Sequence, residues 1–166
     1  EAARVADGVL LVVPYYNNPP QEGLYRHFRA IAESTSLPAM VYNVPSRTVR
    51  NMDAGTTIRL ANDVPNIIGV KEATDNLDQV AEIISGVPSD FRLWSGNDGD
   101  IYTKMAVGGY GVVSVAAHVV GRLIRRMVDS TACLTKKPIV DITRMATTGQ
   151  IHICRLRNSR VRRSDP

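Results

Sequence analysis

Cysteine is scarce: the 166 residues contain only Cys133 and Cys154. Two thiols near one end make no disulfide framework and fit a reducing compartment. Long apolar runs are also missing, and nothing approaches the roughly 18 consecutive apolar residues that a membrane helix needs. The opening Glu1-Ala2-Ala3-Arg4 lacks the basic-then-apolar order of a signal peptide. We therefore expect a cytoplasmic protein with no membrane partner. His27, His118 and His152 are far apart, and no Cys/His cluster has ligand spacing. Asp98 and Asp100 flank a glycine but lack the rest of a calcium loop. No Ser/His/Asp set stands out, and the turn after the first apolar run lacks the glycines that cradle a dinucleotide. No metal and no organic cofactor is expected.

What is present is a core and an uneven charge. Hydrophobic residues make up 44% of the chain, enough for a packed interior. Residues 1–130 carry 12 Lys/Arg against 14 Asp/Glu, whereas residues 131–166 carry 8 against 2. The net charge of +4 thus comes from the tail. A basic tail invites a polyanion, but it lacks interleaved aromatics and any recognisable motif, so no nucleic-acid partner is expected.

Five short apolar runs read as buried parallel strands: Val9–Val13, Pro38–Tyr42, Ile67–Val70, Phe91–Trp94 and Gly111–Val115. Segments with helical spacing lie between them. Leu24, Phe28 and Ile31 form one stripe, and Leu77, Val80 and Ile84 another, opened by Asp75 as N-cap. Asp53 caps a helix with Ile58 and Ala61, and Val119, Leu123 and Met127 line a last helix. This alternation predicts an α/β fold with a parallel sheet. The unusual residues gather at the C-terminal ends of the strands, where a (β/α) barrel keeps its chemistry. A full barrel has eight strands, so five βα units predict a partial TIM (β/α)8 barrel over residues 1–130, with N-terminal strands missing. Residues 131–166 show no period and are expected to be an irregular basic appendage.

Several residues at those strand ends can carry chemistry. Lys71 follows Ile67-Ile68-Gly69-Val70. An amine at the mouth of a buried strand either loses hydration and becomes a nucleophile or simply snorkels to solvent. Tyr42 either relays protons or marks a boundary between core and water, and Tyr15 and Tyr16 invite the same two readings. Arg47 either clamps a carboxylate or is a solvated loop residue. The turn Ser95-Gly96-Asn97-Asp98 either presents backbone N–H groups to a carboxylate or is only a turn.

Taken together, Val13-Pro14-Tyr15-Tyr16-Asn17, Tyr42-Asn43-Val44-Pro45-Ser46-Arg47-Thr48, Gly69-Val70-Lys71-Glu72-Ala73-Thr74 and Ser95-Gly96-Asn97-Asp98 resemble the 4-hydroxy-tetrahydrodipicolinate synthase family. Gly108–Val115 is similar to that family's last barrel strand, and the resemblance covers about residues 1–130. It implies a pyruvate-dependent class I aldolase barrel in which Lys71 forms the Schiff base. Tyr42 is then the phenol that passes protons, and Tyr16 joins a relay across a tight dimer interface. Arg47 is then the carboxylate anchor for aspartate semialdehyde, and the main chain at Val113 and Gly96 helps to place pyruvate. Tyr15 matches a position near the lysine-feedback site of members that have one. The implied substrates are pyruvate and L-aspartate 4-semialdehyde, and the implied assembly of a complete chain is a homo-oligomer. Arg47-Thr48 favours this branch over the alternative of a Schiff-base lyase of 2-keto-3-deoxy sugar acids. A non-catalytic barrel fragment is the other alternative.

Overall fold

The computed structural model describes residues 6–135, 144–148 and 151–155. Five parallel strands alternate with helices: β1 (Gly8–Val12), α1 (Gln21–Glu33), β2 (Ala39–Asn43), α2 (Pro45–Thr48), α3 (Ala54–Asp63), β3 (Ile67–Glu72), α4 (Leu77–Gly86), β4 (Arg92–Ser95), α5 (Ile101–Ala106), β5 (Gly111–Val112) and α6 (Ala117–Thr135). β1 to β5 lie side by side in chain order. The partial barrel expected from the sequence is therefore present, with β5 shorter than its apolar run.

Each strand buries both faces, which explains the continuous apolar runs. One face meets the helices. Leu11, Val13, Val41, Val70 and Leu93 pack there against Leu24, Phe28, Leu60, Val80 and Ile83. Leu24, Phe28 and Leu60 are fully buried, and each such side chain contributes about 2 kcal/mol. The other face corresponds to a barrel interior and gathers Leu10, Met40, Trp94 and Tyr110, with Tyr42 and Val113 packed against them.

Three local expectations shift. The cap of α4 is Asn76, whose side chain accepts from the Gln79 N–H, rather than Asp75. Its core-facing residues are Val80 and Ile83, with Leu77 at the exposed margin. In α6, Val119 and Leu123 are exposed, while Val128 is buried with Ile124 and Met127 against Ile101 and Met105 of α5. The inward stripe of α6 runs through Ile124, Met127, Val128 and Thr131, so Leu123 falls at its outer margin, and Val119 lies before a non-helical residue at Val120.

The expected irregular tail also differs in part. α6 continues through Thr135. Beyond it, β6 (Arg144–Thr148) and β7 (Ile151–Arg155) form an antiparallel pair, and β7 lies antiparallel along β1. An open sheet presents unpaired N–H and C=O groups at its edge, and any extended segment within reach can satisfy them.

Candidate active site

Register builds the site. Tyr42 pairs with Lys71, and Lys71 with Trp94, across three adjacent parallel strands. Residues paired in this way share a face, so the phenol, the amine and the indole all project into the barrel side. The Lys71 Nζ lies 3.9 Å from the centre of the Tyr42 ring. Gly69, two residues before Lys71 on the same face, is required here, since a Cβ would collide with the Arg92 carbonyl and the Trp94 ring. Its missing side chain lets Trp94 close over β3.

Burial acts on the amine. Desolvation lowers the Lys71 pKa from its ordinary 10.5 to about 8, opposed by the nearby Asp98 carboxylate. Asp98 is held by the Ala116 N–H at 2.9 Å. Desolvation raises the Tyr42 phenol, and the positive Arg47 partly offsets the rise. Arg47 therefore stands close enough for its charge to reach the phenol, although its side chain is exposed on α2.

The other sequence candidates are more distant. Tyr15 and Tyr16 lie beyond the end of β1, 52% and 95% exposed. Of the two readings of this turn, the N–H groups of Gly96 and Asn97 fit the plain turn. They donate to the Glu72 carbonyl at 2.8 Å and to Ser95 Oγ at 3.3 Å. Val113 likewise donates its N–H to the Ser95 carbonyl at 2.9 Å. Any main-chain contact from Val113 or Gly96 to a ligand must then come from a carbonyl oxygen.

Behind Lys71, Glu72 points to the helix side and is completely buried. Its carboxylate accepts from Asn43 Nδ2 at 3.0 and 3.1 Å and from the Thr74 N–H at 2.8 Å. Desolvation outweighs these bonds and pushes its pKa up to about 7. The sequence placed Glu72 at a strand end and Trp94 in a strand, without a role for either. Strand alternation was the available signal: Glu72 had to face the helices once Lys71 faced the barrel.

Among the described residues, no group of His, Cys, Asp and Glu could hold a metal ion. No described helix is long and apolar enough to cross a membrane.

Known proteins resemble this chain in sequence and in fold. Residues 2–136 match the dihydrodipicolinate synthetase family. The 4-hydroxy-tetrahydrodipicolinate synthase of Symbiobacterium thermophilum is 58% identical over 131 residues, 78% of this chain and 44% of that protein. The dihydrodipicolinate synthase of Cyanidioschyzon merolae, solved with lysine bound, is 50% identical, with a TM-score of 0.75 over 77% of this chain and 43% of that one. The chloride-inhibited enzyme of Acinetobacter baumannii, solved with pyruvate, is 37% identical, with a TM-score of 0.74 over 80% and 46%. The chain thus spans less than half the length of these relatives. Across that span, sequence and fold point the same way, and the chain belongs to the dihydrodipicolinate synthetase family.

Proposed function

We propose that this chain carries the imine-forming part of a lyase that condenses pyruvate with L-aspartate 4-semialdehyde to give 4-hydroxy-tetrahydrodipicolinate. The single observation behind this reading is the Lys71 amine, poorly hydrated and 3.9 Å above the Tyr42 ring. Support for pyruvate comes from the Acinetobacter baumannii relative that was solved with it.

The chemistry follows from the groups present. Neutral Lys71 adds through its lone pair to the pyruvate ketone, giving a carbinolamine. Tyr42 supplies a proton to the departing hydroxyl, and water leaves as the iminium forms. The iminium withdraws electrons from the adjacent methyl group, which loses a proton and becomes an enamine. The enamine carbon attacks the aldehyde of the semialdehyde. The product's own amine then attacks the imine carbon, closes the ring and expels Lys71. No electrons are exchanged with a third group at any step. Arg47 anchors the carboxylate of the second substrate by paired hydrogen bonds. The main-chain carbonyls at Val113 and Gly96 line the pyruvate position. Tyr16 sits at an interface with a second copy, a placement supported by its 95% exposure at a strand end. Tyr15 lies near a regulatory site for lysine.

Borohydride reduction in the presence of pyruvate tests the proposal. Peptide mass spectrometry should find reduced pyruvate on Lys71 and on no other lysine, and Lys71→Met should abolish the adduct. An unmodified Lys71 in folded protein removes the proposal. Arg47→Ala should spare the adduct and impair use of the semialdehyde. An active protein indifferent to that change would instead favour cleavage of 2-keto-3-deoxy sugar acids.

A further inference from the structure

Lys104 is fully buried, and no step above uses it. Its Nζ makes an ion pair with Asp100 Oδ2 at 2.7 Å, the two side chains being 1% and 22% exposed. The same Nζ donates to the Glu72 carbonyl at 2.9 Å, and the Gly96 N–H donates to that carbonyl at 2.8 Å. The carbonyl of Glu72, the residue after Lys71, is therefore gripped twice from the β4 side. Asp100 Oδ1 lies 2.6 Å from Ser95 Oγ, which carries the grip back to the end of β4. Asn97 Nδ2 reaches Asp100 Oδ2 at 3.4 Å and the Ala73 carbonyl at 3.2 Å.

Packing alone gives no reason for an ammonium at this place. Taking it out of water is costly, and an apolar residue of similar volume would fill the space without that cost. What an ammonium adds is a charge-assisted hydrogen bond to a main-chain oxygen, stronger than a neutral one. It also draws Asp100 under the β4 turn that holds Asp98 near the amine.

We propose that the Lys104–Asp100 pair is a positioning device for Lys71. It locks the backbone at the end of β3 so that the Lys71 amine stays over Tyr42, out of water. Lys104 and Asp100 touch no reacting atom and act only through the main-chain carbonyl of Glu72, next to Lys71. The consequence for imine formation rests on the reading of Lys71 given above, whereas the consequence for the amine's environment does not.

The test replaces both charges at once, K104M with D100L, so that no lone charge is left buried. Three quantities are measured on the full chain: the melting temperature, the rate of borohydride-trapped pyruvate at Lys71, and the pH midpoint for acetylation of Lys71 by acetic anhydride, followed by peptide mass spectrometry. The expected variant melts no lower than the parent. Its acetylation midpoint rises from about 8 toward the ordinary lysine value, and pyruvate trapping slows by on the order of tenfold or more. A folded double variant with an unchanged midpoint overturns the proposal. Should the double variant fail to fold, D100N decides, because it removes the charge while its one side-chain oxygen can still accept from Lys104 and its Nδ2 can donate to Ser95 Oγ. The same upward shift is then expected, and its absence is equally fatal. A parent chain with a lowered midpoint but no pyruvate adduct defeats the proposed function instead, and the positioning role then stands or falls on the acetylation shift.

Discussion

Lys71 and Glu72 are neighbours in sequence, and alternation sends them to opposite faces of β3. Burial pushes both toward their neutral forms, the amine down to about 8 and the carboxyl up to about 7. Imine formation with pyruvate should therefore accelerate as pH rises through about 8, since only the unprotonated amine attacks. Rapid quenching with borohydride across a pH series would measure this, and a midpoint near the ordinary 10.5 would mean a hydrated amine. For Glu72 the effect falls on stability. Its carboxyl binds a proton more tightly folded than unfolded, so its stabilising share is complete below about 4.5 and is lost as pH rises through about 7. Glu72→Gln should remove that part of the pH dependence. Melting curves of parent and variant should converge at acid pH, and the parent should lose ground between pH 5 and 7. Parallel curves would show that Glu72 does not titrate there.

At the scale of elements, the strands were legible because each is a short, continuous apolar run, which is what burial on both faces requires. Helix phase was less legible. The stripe of α4 turned so that Val80 and Ile83, rather than Ile84, reached full burial, because docking on the sheet fixes the angle and periodicity alone does not. Of the site, the Tyr42–Lys71 pairing could be read from two residues at the ends of adjacent strands. The grip by Lys104 was written as an Asp100–Lys104 spacing of four on α5 but is indistinguishable in sequence from a surface ion pair. The backbone at Val49, which ends α2 just after Arg47, could not be read at all. It is left-handed, with φ of 60°, a region that a β-branched residue rarely adopts. Its side chain is 83% exposed, so little packing compensates. Val49→Gly should stabilise the chain by about 1 kcal/mol. Denaturant melts would register this as a higher midpoint with unchanged slope, and a lower midpoint would show that the valine side chain holds the Arg47 loop.

For the whole molecule, the open sheet decides where association begins. β7 covers the edge of β1, whereas β5 at the opposite edge has only two residues, too short to template another strand well. The larger exposure is on α6, where Val119 is 88% and Leu123 62% exposed, with Val115 before the helix at 78%. Side chains already in water contribute little to the fold, so polar replacements there should leave stability within about 0.5 kcal/mol. They should, however, weaken any contact that buries this apolar patch. Val119→Ser combined with Leu123→Lys should leave the melting temperature and the Lys71 adduct unchanged while reducing self-association in sedimentation velocity over a concentration series. The two readouts separate the possible roles of the face. Loss of association at constant melting temperature marks a contact between copies. A melting temperature several degrees lower would mean that α6 is covered within the folded chain, and would refute its assignment as an open surface.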